Sequence, residues 1–485
     1  MIQQDPLRRL QKRMGSFAPV LLLILFCALL GIVLLKVPWY FVIAGFVVIL
    51  VALAVVAEPY YGVLLYLILL YVRPGDMFHA LTPLRLTLLG VLLLTGAFVL
   101  QVLVYRRVKP IMSKPLVFMG LFFLVMLCSL PGSFYRSVTL SKVMEVARIV
   151  YMTYLIVHLV QTVSQARRFM TTMVLVMAGL STTIFLRFVL FPDTHIEGKG
   201  GSGGIAGGFL GDGNDFALAQ NVILPWAIAL VGTTRSKIGK LFFMYCIVIG
   251  ALAVIVTYSR GGFLGLISVF IFYYLLWVIR NRAYARGMML GLIAVTLTVV
   301  AFIAFAPDDL KDRVSGIQDY EEDESALGRL DAWGASVRMF VDHPLFGVGA
   351  GAFATAYGTK YFPPDAVASN WREAHSVFFQ VLGELGISGI IILYALVGAI
   401  FFLVYGLRFT RLADRGEDEW FHAARAAVLI SICGWLVSSM FLSVAYYPHL
   451  FLLTMLATTL KRIAVETPPL IPEFVDEIEE IDEIV

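Results

Sequence analysis

Long apolar stretches separated by short polar connections fill most of the chain. A helix crosses the hydrocarbon core of a bilayer with about 20 apolar residues, and shorter stretches cross when flanking residues reach the interface. By this measure we predict about fourteen membrane-spanning helices. They cover residues 17–35, 38–57, 59–72, 86–104, 115–131, 147–163, 169–191, 216–234, 241–258, 261–279, 287–306, 384–407, 421–442 and 446–460.

The longest polar connection, residues 307–375, contains a segment with helical periodicity. The apolar residues that share one helical face are Ala326, Leu330, Trp333, Val337 and Phe340. Pro344 follows soon after and is typical of a helix stop. The pattern predicts an amphipathic helix over about 325–340, lying on the membrane or on the helix bundle.

Composition agrees with this pattern. Apolar residues make up 60% of the chain and charged residues 14%, and the mean hydropathy is +0.87. Soluble domains contain about 45–50% apolar and about 25% charged residues. The predicted fold class is therefore an all-α polytopic membrane protein with a large extracytoplasmic loop. We expect membrane lipids among its partners and no nucleic acid.

The positions of Lys and Arg orient the predicted helices. Short cytoplasmic loops are enriched in these residues. With the N-terminus inside, the inner segments carry the basic groups Arg8/Arg9/Lys12/Arg13, Arg106/Arg107/Lys109/Lys114, Arg167/Arg168, Arg235/Lys237/Lys240, Arg280/Arg282/Arg286, Arg408/Arg411/Arg415 and Lys461/Arg462. We therefore predict that both termini are cytoplasmic and that the loop 307–375 is extracytoplasmic.

This topology divides the chain into six regions. They are a basic cytoplasmic N-terminus (1–16), N-terminal transmembrane helices (17–191), a core transmembrane region with a Gly-rich outer loop (192–306), the extracytoplasmic loop (307–375), C-terminal transmembrane helices (376–462) and an acidic cytoplasmic tail (463–485). Residues 17–35 follow a basic start without a small-residue cleavage site, and we interpret them as a retained first span.

The sequence has no pattern typical of a metal or cofactor site. The four cysteines all lie in apolar runs and are expected to be small buried hydrophobic residues. The acidic run 321–324 lacks the alternating ligands and shaped turn of a calcium loop. We therefore expect neither a metal nor a cofactor.

A Gly-rich loop is the first polar feature on the predicted extracytoplasmic face. Nine glycines lie between Gly198 and Gly213, and Asn214 and Asp215 follow where the next helix starts. Such a loop can bring its backbone close to an anionic ligand. It can equally be a flexible linker whose last polar residues cap the helix.

Arg260, in the stretch "YSRGGF", is the second feature, because it separates two apolar spans with hardly any loop. Its guanidinium either extends to water at the interface or contacts a ligand that Gly261 and Gly262 allow to come close. Arg329 flanks the apolar stripe of the amphipathic helix, where a cation suits a phosphate ligand or a simple interfacial anchor.

His375 is the third feature and the last strongly polar side chain before a predicted span. Arg372 and Glu373 are its neighbours in the sequence. A histidine at this position is either structural or an acid/base group, because its unperturbed pKa of about 6.5 lies near neutral pH.

The stretches "SRGGF", "GRLDAWGASVRMFVDHPLFGVGAGAF" and "AHSVFFQVLGELGISG", in this order, resemble the O-antigen ligase and polymerase superfamily. The upstream "GFLGDGNDFALAQN" is similar to a motif that precedes the core of that family. In this chain Ser376 stands where many members have Asn. The segment "AEPYYGVLLYLILLYVRPGDMF" resembles the N-terminal part of exosortase-associated O-glycosylation ligases.

The resemblance implies a metal-independent glycosyltransferase of GT-C-like architecture in the bacterial inner membrane. Such enzymes transfer a glycan from an undecaprenyl diphosphate carrier to an acceptor at the extracytoplasmic face. By motif, Arg260 matches the arginine that opens the core domain, Arg329 the arginine that starts the loop helix, and His375 the histidine before the late span. Asn214, Asp215 and Arg372 are further candidates for substrate contact.

The implied chemistry suits these residue types. Arginine offers a fixed positive fork for the charge that develops on a diphosphate leaving group. Histidine can accept the proton of an acceptor hydroxyl. The acceptor stays open between a glycolipid, a growing glycan and a protein, that is, between ligase, polymerase and protein O-oligosaccharyltransferase. A lipid-linked glycan transporter and a structural scaffold are the alternatives from other classes.

Overall fold

The computed structural model describes residues 39–77, 79–103, 111–190, 210–278, 324–362 and 371–467. Within these ranges the regular structure is helical and no strand occurs. The predicted spans 17–35 and 287–306, most of the Gly-rich loop, the acidic run 321–323 and most of the acidic tail lie outside the described residues.

Thirteen long helices follow one another in the described ranges. They are α1 (Trp39–Ala57), α2 (Pro59–Val72), α3 (Leu86–Leu103), α4 (Lys114–Ser129), α5 (Arg136–Leu159), α6 (Val163–Leu190), α7 (Gly213–Thr233), α8 (Lys237–Val256), α9 (Arg260–Val278), α10 (Glu324–Asp342), α11 (Val377–Gly406), α12 (Arg415–Ser439) and α13 (Pro448–Glu466).

The predicted class, an all-helical polytopic membrane protein, is confirmed. Each predicted span that falls on described residues coincides with one of these helices. Six helices are long and apolar enough to cross a membrane, namely Leu86–Leu103, Val163–Leu190, Gly213–Thr233, Lys237–Val256, Val377–Phe409 and Arg415–Ser439. The number of fourteen spans stays a prediction.

Helix ends gather at two opposite ends of the bundle. At one end, the Ala350 N–H donates to Oγ of Ser129, the last residue of α4 (3.2 Å), and the His375 N–H before α11 donates to Ser443 Oγ after α12 (2.9 Å). We call this the motif end, because α7, α9, α11 and α13 all begin there. It therefore unites the sequence motifs that the analysis singled out.

The opposite end carries the basic residues of the predicted inner segments 167–168, 235–240 and 408–415. Ser113, which caps α4 there, shares a hydrogen bond of 2.7 Å with Thr458 in the second half of α13. Arg167 Nη2 at the start of α6 donates to the Thr233 carbonyl at the end of α7 (3.0 Å). This basic end matches the pattern expected of a cytoplasmic face.

Helix α7 lies in the middle of the core, with most of its side chains buried. Its polar groups are bonded to neighbouring helices: Asn221 Nδ2 donates to the Gly262 carbonyl of α9 (2.8 Å) and to Ser438 Oγ of α12 (3.0 Å). Because buried polar groups are costly unless paired, these bonds fix how α7, α9 and α12 meet.

The amphipathic helix of the long loop is α10, and it differs from expectation in one respect. The face that packs on the protein consists of small residues with Met339, namely Gly328, Ala332, Ala335, Ser336 and Met339. Two of the larger apolar side chains lie outward, with Leu330 45% and Val337 46% exposed, whereas Trp333 stacks on Phe379 of α11 at a centroid distance of 4.8 Å. Small residues let α10 lie close to α11, and the outward stripe is of the kind that contacts a membrane surface.

Candidate functional site

The site is built around a break in α11. Gly386 has φ +62°, ψ −154°, which a residue with a Cβ rarely adopts, and the helix resumes after it. The turn 343–352, part of the stretch "DHPLFGVGAGAF", binds the backbone groups at this break. The Ile387 N–H donates to the Pro344 carbonyl (2.9 Å), and the Val348 N–H donates to the Gly383 carbonyl (2.9 Å).

Glu384 fastens this turn to α11 through its carboxylate, which is 1% exposed. Its Oε2 accepts hydrogen bonds from the Gly351 N–H (2.7 Å) and the Tyr446 hydroxyl (2.6 Å), and its Oε1 accepts one from the Phe353 N–H (3.1 Å). Glu384 belongs to none of the candidate residues predicted from the sequence. Its carboxylate within an apolar run was the signal that could have found it.

A short connection between α12 and α13, segment 441–447, lies on the other side of this site. Besides Tyr446, its Ala445 N–H donates to Gln380 Oε1 on α11 (3.2 Å). Tyr447 OH donates to Asp215 Oδ2 on α7 (2.8 Å). Segment 441–447 therefore joins the start of α7 to the first turns of α11.

His375 stands directly before α11 in the left-handed region, with φ +48°. Its N–H is held by Ser443 Oγ. Burial and, to a smaller extent, the positive charges of Arg329 and Arg372 together lower the pKa of the imidazole to about 4, against the opposing charge of Asp212. The imidazole is therefore neutral at physiological pH and can accept a proton.

Arg329 and Arg372 come from different elements and act on the same imidazole. Arg372 reaches back from the start of α11 and lies on Gly328 of α10, where a Cβ would overlap its guanidinium. Its Nη1 is buried and has no hydrogen-bond partner among the residues that the structure describes. Two like charges held together, with a buried donor left over, form a local arrangement that suits an anion.

The start of α7 brings three polar residues to the same place. Asp212 caps α7, whereas the sequence suggested Asn214 or Asp215 as the cap. The Asp212 side chain accepts hydrogen bonds from the Asn214 N–H (2.7 Å) and from Asn214 Nδ2 (2.9 Å). Asp215 binds Tyr447 and interacts electrostatically with Asp212 and Glu373. Asn214 and Asp215 thus lie at the motif end near His375.

Glu373 adds a further carboxylate near these groups. Its side chain reaches solvent, but enough protein surrounds it that the loss of hydration raises its pKa, and Lys142 of α5 opposes this shift. The site therefore contains both signs of charge within a few residues of the imidazole.

Arg260 begins α9 with an exposed side chain. The two glycines that follow it fit protein groups: a Cβ at Gly261 would lie 2.8 Å from Phe441 Cβ, and one at Gly262 would meet Ala217 of α7. Both glycines therefore serve close helix packing, and the close approach of a ligand beside them stays a prediction. Through Phe441, Arg260 lies beside segment 441–447.

Taken together, the motif end presents a neutral imidazole beside two guanidinium groups, with carboxylates at its edge. Such an arrangement can accept a proton and stabilise a departing anion. Among the described residues no group of three or more His, Cys, Asp or Glu could hold a metal ion.

One known family model covers part of this region of the chain. Residues 245–394 match the family model described as O-antigen ligase, which confirms the resemblance predicted from the motifs. The matched range contains Arg260, Arg329, Arg372 and His375, whereas Asn214 and Asp215 precede it. No curated protein matches the chain at a significant level.

Proposed function

We propose, from the O-antigen ligase match of residues 245–394, that the chain transfers a glycan from an undecaprenyl diphosphate-linked donor to an acceptor hydroxyl. The match supports a membrane protein of ligase or polymerase type that transfers a glycan. The donor, the residue roles and the membrane face are our proposals. We place the site on the extracytoplasmic face of the bacterial inner membrane.

The observation that carries this proposal is the position of the neutral His375 imidazole beside Arg329 and Arg372. Because the imidazole is neutral at physiological pH, one of its ring nitrogens has a lone pair free to accept a proton. Two guanidinium groups, one with a buried Nη1 that has no partner among the described residues, offer charge and hydrogen bonds to a diphosphate.

The proposed reaction has one displacement step. The acceptor hydroxyl oxygen forms a bond to the anomeric carbon of the donor while an imidazole nitrogen of His375 takes the hydroxyl proton. The bond between the anomeric carbon and the diphosphate oxygen breaks, and its electron pair leaves with the lipid diphosphate. Arg329 and Arg372, with Arg260 nearby, stabilise the negative charge that develops on this leaving group.

The remaining polar residues are proposed to hold the substrates. Asn214 and Asp215 lie at the start of α7 beside Tyr447. Side chains of these types hydrogen-bond sugar hydroxyls, so we assign them to the donor or acceptor glycan. We expect the reaction to need no metal ion.

The test is a transfer assay with purified protein in vesicles that contain an undecaprenyl diphosphate-linked glycan and a chelator. Candidate acceptors are added separately: a lipid A core, a second copy of the lipid-linked glycan, and a polypeptide. Covalent transfer to one of them supports the enzyme and identifies it as ligase, polymerase or protein O-oligosaccharyltransferase. Movement of the glycan lipid between leaflets without transfer to any acceptor supports the transporter and contradicts the proposal.

A further inference from the structure

We infer that Ser443 is a positioning residue, which fixes His375 in the conformation needed for proton transfer. The inference rests on the proposed function, because it assigns Ser443 a part in the same site. Ser443 lies 68 positions after His375 in the sequence, in the connection between α12 and α13. It also lies beyond the family match.

The backbone of His375 has a conformation that needs support from its surroundings. A left-handed conformation is unfavourable for a residue with a Cβ and persists where the surrounding structure imposes it. The His375 N–H donates to Ser443 Oγ over 2.9 Å, and this bond holds the backbone where the φ angle is +48°. The direction of the imidazole depends on that angle, so the serine hydroxyl sets where the ring lies.

The segment that carries Ser443 is rigid. Segment 441–447 is fixed on both sides of the serine. Phe441 packs on Gly261 of α9, and the Ala445 N–H binds Gln380 of α11. Tyr446 and Tyr447 donate to two carboxylates on different helices, as described above. A hydroxyl on a segment held in this way is a fixed acceptor.

The position of the imidazole ring determines which charged groups act on it. The groups that act on the His375 imidazole are Arg329 on α10, Arg372 just before α11 and Asp212 just before α7. Glu373 lies two residues away in the chain. If the backbone left its left-handed conformation, the ring would move relative to all of these groups. Both its acidity and its distance from the acceptor hydroxyl would then change.

The experiment uses four single variants of the full chain, one of them His375→Ala, and one double variant. Ser443→Ala removes the hydroxyl, and Ser443→Thr retains one. Ser439→Ala is the matched control, because the Ser439 hydroxyl donates to the Leu436 carbonyl three residues earlier in its own helix (3.0 Å). The double variant combines Ser443→Ala with His375→Ala.

We expect Ser443→Ala to lower kcat by about 10-fold to 10²-fold, the range for a misplaced catalytic group, with an unchanged KM for the donor. Ser443→Thr should recover most of the loss and Ser439→Ala should match the wild type. In the His375→Ala background, Ser443→Ala should change the residual rate little, because it acts through the histidine. An equal fold loss in both backgrounds would overturn the inference and leave Ser443 a structural residue.

A second measurement does not depend on transfer. Diethyl pyrocarbonate modifies neutral imidazole, and mass spectrometry of the peptide with His375 gives its rate across pH. In the wild type the rate should be half-maximal near pH 4. In Ser443→Ala the midpoint should move toward the unperturbed value of about 6.5, and in Ser439→Ala it should not.

The transfer rate and the modification midpoint together distinguish a failure of the proposed function from a failure of the role inferred for Ser443. An inactive wild type would contradict the proposed function, and the modification midpoints would still decide whether Ser443 positions the ring. An active wild type whose Ser443→Ala variant has the same kcat and the same midpoint would contradict this inference alone.

Discussion

The guanidinium of Arg372 lies against Gly328 of α10, in the space that a Cβ at this position would occupy. Nη1 of Arg372 is buried there, and no described residue provides it with a hydrogen-bond partner. Arg329, the next residue of the helix, acts on the same imidazole as Arg372. A glycine at 328 therefore allows two guanidinium groups to share one end of α10.

Gly328→Ala is expected to displace Arg372 and to weaken binding of the donor. A hydrogen bond to a charged group contributes about 1.5–3 kcal/mol, so its loss corresponds to a rise in Kd of about 10-fold to 10²-fold. The measurement is binding of an undecaprenyl diphosphate-linked glycan to the purified variant.

Gly334→Ala is the control on the same helix. The closest atom to a Cβ there is Arg338 Nη1 at 3.5 Å, which is ordinary contact. Both substitutions gain up to about 1 kcal/mol of helix propensity, so a difference between them reports on Arg372 alone. Equal donor affinity in both variants would show that the position of Arg372 does not matter for binding.

Arg260 and Arg329 are expected to act by charge and by bidentate geometry. Arg→Lys at either position should retain more transfer than Arg→Ala and less than the wild type, because a point charge replaces a fork. Arg338→Ala is the comparison, since Arg338 Nη2 instead holds the Tyr361 carbonyl (2.8 Å). Full activity of the Ala variants at 260 and 329, at unchanged protein levels, would make both arginines interfacial anchors.

Glu384→Ala is expected to destabilise the turn 343–352 and with it the motif end. The substitution leaves two backbone N–H groups and the Tyr446 hydroxyl without their acceptor, and each buried unsatisfied donor costs about 1–3 kcal/mol. Thermal unfolding in detergent measures the loss. The melting temperature of Glu384→Gln should lie between those of the wild type and Glu384→Ala, because the glutamine amide keeps one oxygen that can accept a hydrogen bond.

Glu145→Ala provides the contrast for that stability measurement. Glu145 pairs with Lys142 at 2.7 Å on an exposed surface, where an ion pair contributes about 0–1 kcal/mol. A Glu384→Ala variant no less stable than Glu145→Ala would mean that the turn is held by its backbone bonds alone.

The positions of the helices were predictable from the sequence because each apolar run fits the thickness of a bilayer. The starts of α5 and α12 were not. Both helices begin in polar turns, at Arg136 and Arg415, which an apolar window leaves out. The sequence predicted which residue types the motifs supply and that these residues lie at the same end of the bundle. Their order along the chain places them at the starts of helices.

The connections between these residues could not be predicted from one sequence. Ser443 and His375 are 68 positions apart, and Tyr447 and Asp215 are 232 apart. No periodicity joins such pairs, because the contact depends on how α12 and α13 pack against α7 and α11. The packing face of α10 could not be predicted for the same reason. Small residues indicate a packing face only when the neighbouring helix is known.

The membrane side of the motif end remains a prediction, and it has a direct test. Reporters fused after Arg168, Lys237 and Arg415 should be cytoplasmic, because these residues lie at the basic end of the bundle. A reporter inserted near Glu322, before α10, should be extracytoplasmic. A cytoplasmic signal from position 322 would place the site on the wrong side for a lipid-linked donor at the outer face.

His375→Ala should insert and accumulate normally, bind the donor and lose transfer by about 10²–10⁴-fold, as expected for loss of a general base. The comparison is made per folded molecule at saturating donor. A histidine that only packs before α11 would instead lower the abundance of the protein and leave its turnover unchanged.

The pH profile decides whether His375 is a base within its observed surroundings. Because burial and the two arginines lower its pKa to about 4, the imidazole is neutral and competent above that pH and becomes protonated below it. Transfer by the wild type should therefore change little between about pH 6 and 8 on account of this group, and decline as pH falls toward 4, whereas a histidine at its unperturbed pKa of about 6.5 would already lose activity below about pH 7. Arg329→Gln removes one positive charge near the ring, so the His375 pKa should rise and the acid decline should begin at higher pH. An acid decline centred near 6.5 in the wild type and unmoved in Arg329→Gln would assign the proton transfer to another group.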